Sequence, residues 1–341
     1  MAEIKIKEII EKKEWEDFIS LREEANFLHS WYWGEFYENL NQKVQRSAFY
    51  KNKKLSGVML SIVEKAKRGQ YLIVPGGPII DWQDPGIVGA FVRQLRKIAI
   101  LNNCSFIRVR PQLTDSQFSR NLFKKLGFIK APMHLHAELT SQLDITKAEE
   151  ELLKEMRKTT RHEIKSALAQ SINILKSEDS KDIKEFYNLQ LDTAKRQKFV
   201  PFAYDYLCEQ FKVFAKNKKA IFYKAFLGKK LLAQAFIIFY GNEAVYHYAA
   251  GTEEGRKYPG SYLIQWEAIL EAKRRGMKRY NFWGVAPIEN TKHRFYSLSV
   301  FKRGFGGEDV SYLHAQDLII NYPKYFINYA IEKVRKILRN V

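Results

Sequence analysis

Two stretches of the chain, lying 176 residues apart, predict the same hairpin. In each, strand-like runs flank a turn that ends in Lys-Lys-Leu, at Lys53-Lys54-Leu55 and at Lys229-Lys230-Leu231. A chain of 341 residues also exceeds the usual size of one hydrophobic core. The repeated hairpin therefore predicts an internal duplication, with two domains of similar build.

The elements around each hairpin keep the same order. The first half predicts strands at 44–50, 55–64, 71–75 and 106–110 and helices at 86–102 and 116–126. The second half predicts strands at 220–227, 231–240, 243–249 and 279–283 and a helix at 261–275, capped by Ser261 and ended by Gly276. A β-meander followed by a helix and another strand is the core order of the GCN5-related acetyltransferase (GNAT) fold.

We therefore expect an α+β protein with two GNAT-like domains in tandem, each a mixed sheet flanked by helices. The predicted first domain comprises residues 1–145 plus 312–341, and the second comprises residues 146–311. Between the halves, Thr146 and Glu149 have the spacing of a capping box, which predicts that a helix begins there.

The charge balance suggests a polyanionic partner. Lys and Arg number 57 against 38 Asp and Glu, a formal net charge of +19, and such a field attracts nucleic acid, pyrophosphate or an anionic membrane. A generally basic surface explains the same excess without any site. The chain has no apolar run of the ~20 residues that span a bilayer and no secretory signal, so we expect it in the cytoplasm.

Neither a metal nor a cofactor is expected. The two cysteines, Cys104 and Cys208, belong to no CxxC motif, and the histidines are scattered. GNAT enzymes hold coenzyme A on a [QR]-x-x-G-x-[GA] loop that opens a helix. The nearest match here, residues 303–308, ends in Glu308 and precedes no obvious helix.

Four segments read together resemble one family. They are residues 26–36 (NFLHSWYWGEF), 158–167 (KTTRHEIKSA), 193–199 (TAKRQKF) and 301–307 (FKRGFGG). They are similar to the "QS-x-x-WG", "K-x-x-R-x-x-I-x-x-A", "T-x-x-R-x-x-F" and "FK-x-GFGG" patterns of the Fem family (FemABX) of peptidoglycan interpeptide-bridge aminoacyltransferases. The resemblance covers nearly the whole chain, and the last segment is the most specific.

The resemblance implies aminolysis of an ester. The amine of a peptidoglycan-precursor stem peptide attacks the carbonyl that links an amino acid to tRNA, so aminoacyl-tRNA is a co-substrate and no cofactor is needed. Lys302 is the implied catalytic residue, a fixed cation near the oxyanion of the tetrahedral intermediate. The glycines that follow it permit a substrate-lined turn. The alternative interpretation of Lys302 is an ordinary surface lysine.

The resemblance also implies substrate-binding residues. Arg196 would grip two phosphate oxygens of the precursor, although a basic residue at a helix C-terminus also complements the helix dipole. The other implied precursor contacts are Trp33, Tyr37, Tyr248, Tyr258 and Phe301. For the tyrosines, ordinary packing is an equal alternative.

Two positions depart from the family pattern. His29 stands where members carry Gln, and Tyr37 stands where some place a phosphate-binding Lys. A tRNA backbone would meet the face formed by Lys158, Arg161 and Lys165, for which a solvated charged face is the alternative.

The final segment, residues 322–341, predicts a basic amphipathic helix. We expect this helix to pack on the first domain, and the alternative is peripheral contact with the inner membrane surface. Two other functions remain open: a GNAT-like acyltransferase with another acyl donor, and a tRNA-binding protein without catalytic activity.

Overall fold

A computed structural model describes residues 3–9, 11–66, 69–197 and 199–339. The chain divides into two compact units, Met1–Glu138 with Ser311–Val341 and Leu139–Val310. No helix in these ranges combines the length and the apolar character that crossing a bilayer requires.

The described residues of the first unit begin with a series of strands and helices. Its strands are β1 (Ile4–Glu8), β2 (Lys43–Lys51), β3 (Lys54–Ala66), β4 (Gly69–Pro75), β5 (Ile79–Ile80), β6 (Cys104–Arg110) and β7 (Ile129–Lys130). Its helices are α1 (Lys12–Ser20), α2 (Trp31–Asn39), α3 (Pro85–Leu101) and α4 (Gln117–Lys125), with a 3₁₀ turn at Phe27–His29.

The second unit repeats this mixture of strands and helices. Its strands are β8 (Leu139–Asp144), β9 (Ile172–Ser177), β10 (Ala220–Leu227), β11 (Lys230–Tyr240), β12 (Glu243–Gly251), β13 (Arg279–Gly284) and β14 (Glu308–Ser311). Its helices are α5 (Glu149–Glu155), α6 (Lys158–Ala169), α7 (Asp182–Gln197), α8 (Tyr204–Lys216), α9 (Gly260–Arg274) and α10 (Tyr296–Arg303), with a 3₁₀ turn at Glu254–Lys257. The chain then adds β15 (Gln316–Ile319) and α11 (Tyr322–Arg339) to the first unit.

The strands described in each unit form a mixed sheet, as predicted. The first runs β1-β2-β3-β4-β6-β15-β7, with β5 beside β3, and the second runs β14-β8-β13-β12-β11-β10-β9. The pairs β4–β6 and β12–β13 are parallel, and α3 and α9 supply the crossovers. The β2–β3 and β10–β11 hairpins also carry register shifts after Phe49 and Ala225, which lie 176 residues apart. The predicted duplication is thus confirmed in the architecture.

Two predicted helix starts are wrong. Thr146 does not cap a helix, because its backbone N–H and hydroxyl both donate to Asp144; α5 begins at Glu149, where Glu151 accepts from the backbone N–H of Ala148. Likewise, α9 begins at Gly260, so Ser261 lies inside the helix. In the first case a nearby carboxylate competes for the hydroxyl that would cap the helix.

His29 performs the hydrogen bonding that a glutamine amide would perform. The imidazole is fully buried; its Nδ1 donates to the Pro75 carbonyl (2.8 Å), and its Nε2 accepts from the Leu60 N–H (3.0 Å). One donor and one acceptor are what an amide also offers. The departure at residue 29 therefore preserves a structural link between the 3₁₀ turn, β3 and the end of β4.

We predict that His29→Gln retains the fold and reduces its sensitivity to acid. Burial lowers the pKa of His29 to about 4 from an ordinary 6.5, so between these pH values the unfolded chain binds a proton that the folded chain refuses. Wild-type stability therefore falls as pH falls through this window, by about 2 kcal/mol at pH 5 from this residue. Urea unfolding at pH 7 and pH 5 should show a smaller loss for His29→Gln. An equal loss would contradict this linkage.

The C-terminal helix α11 packs on the first unit through its polar side. Its inward side chains are Tyr325, Asn328 and Glu332, whereas Phe326 and Ile327 are more than half exposed. The helix therefore packs on the first unit, as expected, but with its polar side inward. Ion pairing fixes the orientation, because Glu332 reaches the buried Arg108 on β6 (2.9 Å).

Arg108 is the centre of a buried polar network. Its Nε and Nη2 donate to the two carboxylate oxygens of Asp317 on β15 (2.7 and 2.8 Å), and the Tyr325 hydroxyl donates to the same carboxylate (3.0 Å). Burial alone would lower the pKa of Arg108, but the carboxylates of Asp317 and Glu332 raise it above its usual value. The network joins β6, β15 and α11.

Candidate active site

The two parallel strands of the second sheet separate partway along their length. β12 and β13 pair only at Glu243–Val245 with Arg279–Asn281, although β12 continues to Gly251 and β13 to Gly284. The extra residue His247 forms a bulge against β11 where the pairing ends, and Trp283 adopts a left-handed φ of 65°. We call the stretches 246–251 and 282–284 the strand split. Backbone groups beyond the last pair of a ladder are available to an extended ligand.

Helix α10 holds one side of the strand split. Three of its side chains contact the end of β13 and the residues just after it. Lys302 Nζ donates to the Gly284 carbonyl (2.7 Å), the Ser299 hydroxyl accepts from the Ala286 N–H (2.7 Å), and Arg303 donates to the Ala286 carbonyl (2.6 Å). Ser299 and Lys302 are buried. The amine of Lys302 is thereby fixed at the end of β13.

The glycines of the FKRGFGG segment allow the end of α10 and the residues after it to lie close to α6 and β8. A Cβ on Gly304 would lie 2.5 Å from the Thr160 hydroxyl of α6, and one on Gly307, whose φ is +85°, would lie 2.2 Å from the Gln142 carbonyl of β8. Lys302 itself is helical rather than in a turn. Gly304 and Gly307 lie close to α6 and β8, which is an approach that only residues without a Cβ permit.

The environment of Lys302 is apolar. Its side chain is 6% exposed, and its Nζ lies 5.6 Å from the ring centroid of Tyr246 on β12. Burial lowers the pKa of Lys302 to about 7 from an ordinary 10.5, because a low-dielectric site disfavours the charged form. Lys302 is thus neither the surface lysine of the alternative interpretation nor a permanent cation; it exchanges a proton near neutral pH.

Phe301 lies beside Lys302 and supports the helix from one side. Its ring packs against Tyr262 and Phe305, with centroids 4.8 and 5.3 Å away. Tyr246, which the sequence did not predict as a site residue, has its ring 5.6 Å from the Lys302 amine. Nineteen tyrosines and no distinctive spacing left no signal by which it could have been found.

Tyr248 lies on the opposite face of the sheet from Lys302. It pairs with Phe236, whose ring contacts Phe211 of α8, and its hydroxyl forms hydrogen bonds with Tyr206 and Gln210. Because the bulge at His247 reverses the alternation, Tyr246 and Tyr248 face different sides. The structure therefore does not bring Tyr248 and Lys302 into contact.

Arg196 connects the end of α7 to the end of β12. Its Nη2 donates to the Gly251 carbonyl and to the Thr193 hydroxyl (3.2 Å). Its Nε is buried and has no hydrogen-bond partner within the described ranges. The guanidinium therefore links α7 to β12. Its Nη2, one of the donors expected to bind phosphate, is already hydrogen-bonded within the protein.

The remaining predicted contact residues lie in several environments. Tyr258 follows the second 3₁₀ turn and packs, half-buried, on the core of the second unit. In the first unit, Trp33 is buried among aromatic rings, 5.9 Å from the ring of Tyr37. The Tyr37 hydroxyl donates to Glu64, whose pKa burial raises.

The predicted tRNA-binding face divides into two parts. Lys158 and Lys165 are exposed on α6. Arg161 instead donates to the carbonyls of Met156 and Lys154 (the latter at 2.9 Å), which terminate α5. A cation that binds the last carbonyls of a helix stabilises that helix end. Arg161 therefore stabilises the C-terminal end of α5, just before α6 begins.

No metal centre accompanies these residues. Within the part of the chain that the structure describes, His, Cys, Asp and Glu side chains do not gather in groups of three or more that could hold a metal ion.

Solved structures confirm the fold class. One described as FemX has a TM-score of 0.83 at 17% sequence identity, covering 95% of this chain and 99% of that one. A tandem GNAT protein from the clavulanic acid biosynthesis pathway has a TM-score of 0.60 at 10% identity, covering 93% and 98%. The protein therefore has the tandem GNAT-like architecture that the sequence predicted.

The family follows from the sequence itself. The model of the FemAB family matches residues 10–228 and 223–333, and the chain belongs to this family. The aminoacyltransferase FemA of Staphylococcus aureus (strain MRSA252) is 25% identical over 367 aligned positions, which cover 83% of this chain and 87% of that protein. FemA of strain MW2 matches with the same identity and coverage. The predicted enzyme class, aminoacyltransferase, is thereby confirmed.

Proposed function

We propose that this enzyme transfers an amino acid from aminoacyl-tRNA to the stem peptide of a peptidoglycan precursor, UDP-MurNAc-pentapeptide or lipid II, and so builds the interpeptide bridge. The observation that carries the proposal is a buried lysine with a pKa of about 7, fixed at the strand split of a FemAB-family protein. Ester aminolysis needs little more than alignment, a neutral amine and a proton carrier.

Lys302 is the proton carrier in this proposal. The nitrogen of the acceptor amine bonds to the ester carbonyl carbon while neutral Lys302 takes a proton from that amine. The resulting Lys302 ammonium lies beside the oxyanion. It then returns the proton to the ribose oxygen as the ester C–O bond breaks. The products are an amide and a free tRNA hydroxyl. The fixed cation expected from the sequence thus becomes a transient one.

The donor side of the proposal depends on charge. A net charge of +19 draws polyanions to the protein, and Lys158 and Lys165 are free of the helix-end role that occupies Arg161. We assign tRNA backbone contacts to these two lysines. A reaction that uses aminoacyl-tRNA takes place in the cytoplasm, which is where we place the enzyme.

The acceptor side of the proposal keeps the residues that the family resemblance implies. Arg196 offers its buried Nε to a phosphate oxygen only if the guanidinium rotates away from Gly251. Trp33, Tyr37, Tyr248, Tyr258 and Phe301 remain assigned to the precursor as a prediction.

The decisive experiment mixes purified protein, a panel of charged tRNAs and each precursor, with mass spectrometry of the acceptor. We expect one amino acid residue to be added to the stem peptide with at least one charged tRNA. Deacylated tRNA is the matched control and should yield no product.

Coenzyme A provides the opposing test. If acetyl-CoA modifies an amine and no aminoacyl-tRNA does, the protein is a GNAT-like acyltransferase with another donor and the proposal is wrong. If neither donor supports transfer to either precursor, the proposed acceptor is wrong.

A further inference from the structure

We propose that the outer face of α11 docks this protein on an anionic lipid bilayer. The face consists of Tyr322, Phe326, Ile327, Ala330 and Val334 together with the basic residues beside them. The proposal concerns a surface of the first unit and does not require the transfer reaction.

The outer face is apolar and open. Phe326, Ile327 and Val334 are 58%, 60% and 55% exposed, and Tyr322 is 61% exposed. At 3.6 residues per turn, positions 326, 327, 330 and 334 fall on one side of the helix. This arrangement is unusual, since an amphipathic helix in a globular protein ordinarily turns its apolar side inward.

The inner face is held by polar contacts, so the helix cannot turn over without breaking them. Glu332 is buried against Arg108, and the hydroxyl of Tyr325 donates to Asp317. Asn328 is also buried, and its amide bonds back to the Lys324 carbonyl. Exposure of the apolar side is thus a fixed feature of the fold.

Positive charge borders the apolar face on both sides. Helical geometry places Lys324 and Arg335 along one border and Lys333 and Lys336 along the other, and all four are exposed. Glu332, the one acidic residue between 322 and 339, is already paired inside the protein. The charged side chains that α11 itself exposes between residues 322 and 336 are therefore all basic.

An anionic bilayer matches this combination better than the alternatives. Apolar side chains can enter the acyl boundary while the lysines reach lipid phosphates. A tRNA backbone would satisfy the charges but leave Phe326 and Ile327 in water. A two-fold dimer through α11 would cover the apolar face. It would also place the basic residues of the two copies near each other, because the same surface of each copy forms such an interface.

The test is flotation of the whole protein with vesicles of phosphatidylcholine alone or of phosphatidylcholine and phosphatidylglycerol at equal amounts. We expect binding to the anionic vesicles only, weakened by high salt. Phe326→Ser/Ile327→Ser and Lys333→Glu/Lys336→Glu should each lower the partition coefficient at least about tenfold. Ile100→Ser/Leu101→Ser is the matched control: these α3 residues are 62% and 70% exposed and should leave binding unchanged.

The same variants separate the alternatives. Sedimentation that shows a dimer lost only in Phe326→Ser/Ile327→Ser would overturn the proposal in favour of a second copy of the chain. Equal flotation of wild type and both α11 variants would also overturn it. The wild type and all variants should transfer to a water-soluble acceptor at the same rate. A transfer assay that fails would therefore contradict the proposed function without affecting the conclusion about membrane docking.

Discussion

Lys302→Met is expected to lower kcat by roughly 10²–10⁴-fold, the range that a positioned proton carrier contributes. Substrate binding should change little, because the amine acts on the reacting atoms rather than on the distant parts of either substrate. Stability at pH 7 should be equal or higher. Between pH 10.5 and about 7, Lys302 is protonated in the unfolded wild-type chain but neutral in the folded one. The free energy of unfolding of the wild type therefore decreases as pH falls through that window.

The pH profile distinguishes the role of Lys302 from simple positioning. If neutral Lys302 accepts the proton, the single-turnover rate of the wild type should fall tenfold per pH unit below about 7. Lys302→Met should have a low rate without this inflection. The exposed Lys216→Met on α8 is the control and should match the wild type. A wild-type rate that rises as pH falls would instead support a cationic role, and an unchanged rate in Lys302→Met would remove the residue from catalysis.

Arg108→Met is expected to destabilise the first unit by about 3–5 kcal/mol, because it leaves the carboxylate of Asp317 buried without its partner. Asp317 is 0% exposed, and the pair is bidentate at 2.7 and 2.8 Å. The triple variant Arg108→Met/Asp317→Leu/Glu332→Met should recover most of the loss, since it removes every charge of the network together. Urea unfolding at pH 7 measures each change.

Arg120 provides the matched control for burial. It also forms a bidentate pair, with Asp115 at 2.7 Å for both contacts, but its side chain is 58% exposed. Exposed pairs contribute about 0–1 kcal/mol, so Arg120→Met should be nearly neutral. Similar losses for Arg108→Met and Arg120→Met would show that burial is not the source of the effect.

Local patterns in the sequence were sufficient for most of the fold. Strand β10 begins and ends where alternation and the Gly228 turn placed it, and the predicted helix at 86–102 differs from α3 by one residue at each end. Gly276 ends α9 with a φ of 72°. Each of these features depends on residues only a few positions apart, which is why the pattern and the turn chemistry predicted them.

The sequence failed where distant residues compete with a local preference. The predicted helix from Thr146 breaks after Met156, where the backbone N–H of Arg157 donates to the Gly304 carbonyl (2.9 Å) and Arg161 binds the carbonyls of α5. Gly304 lies almost 150 positions further along the chain. Neither helical period nor charge spacing contains that information.

The sequence by itself determined the duplication, the family and the selection of Lys302, because short motifs and turn residues act locally. Only the tertiary structure decided that Lys302 is buried, with a pKa lowered to about 7, and that α11 turns its apolar side outward. The charge state of an amine depends on the water excluded around it, and the orientation of a helix depends on partners such as Arg108 that folding brings from more than 200 residues away.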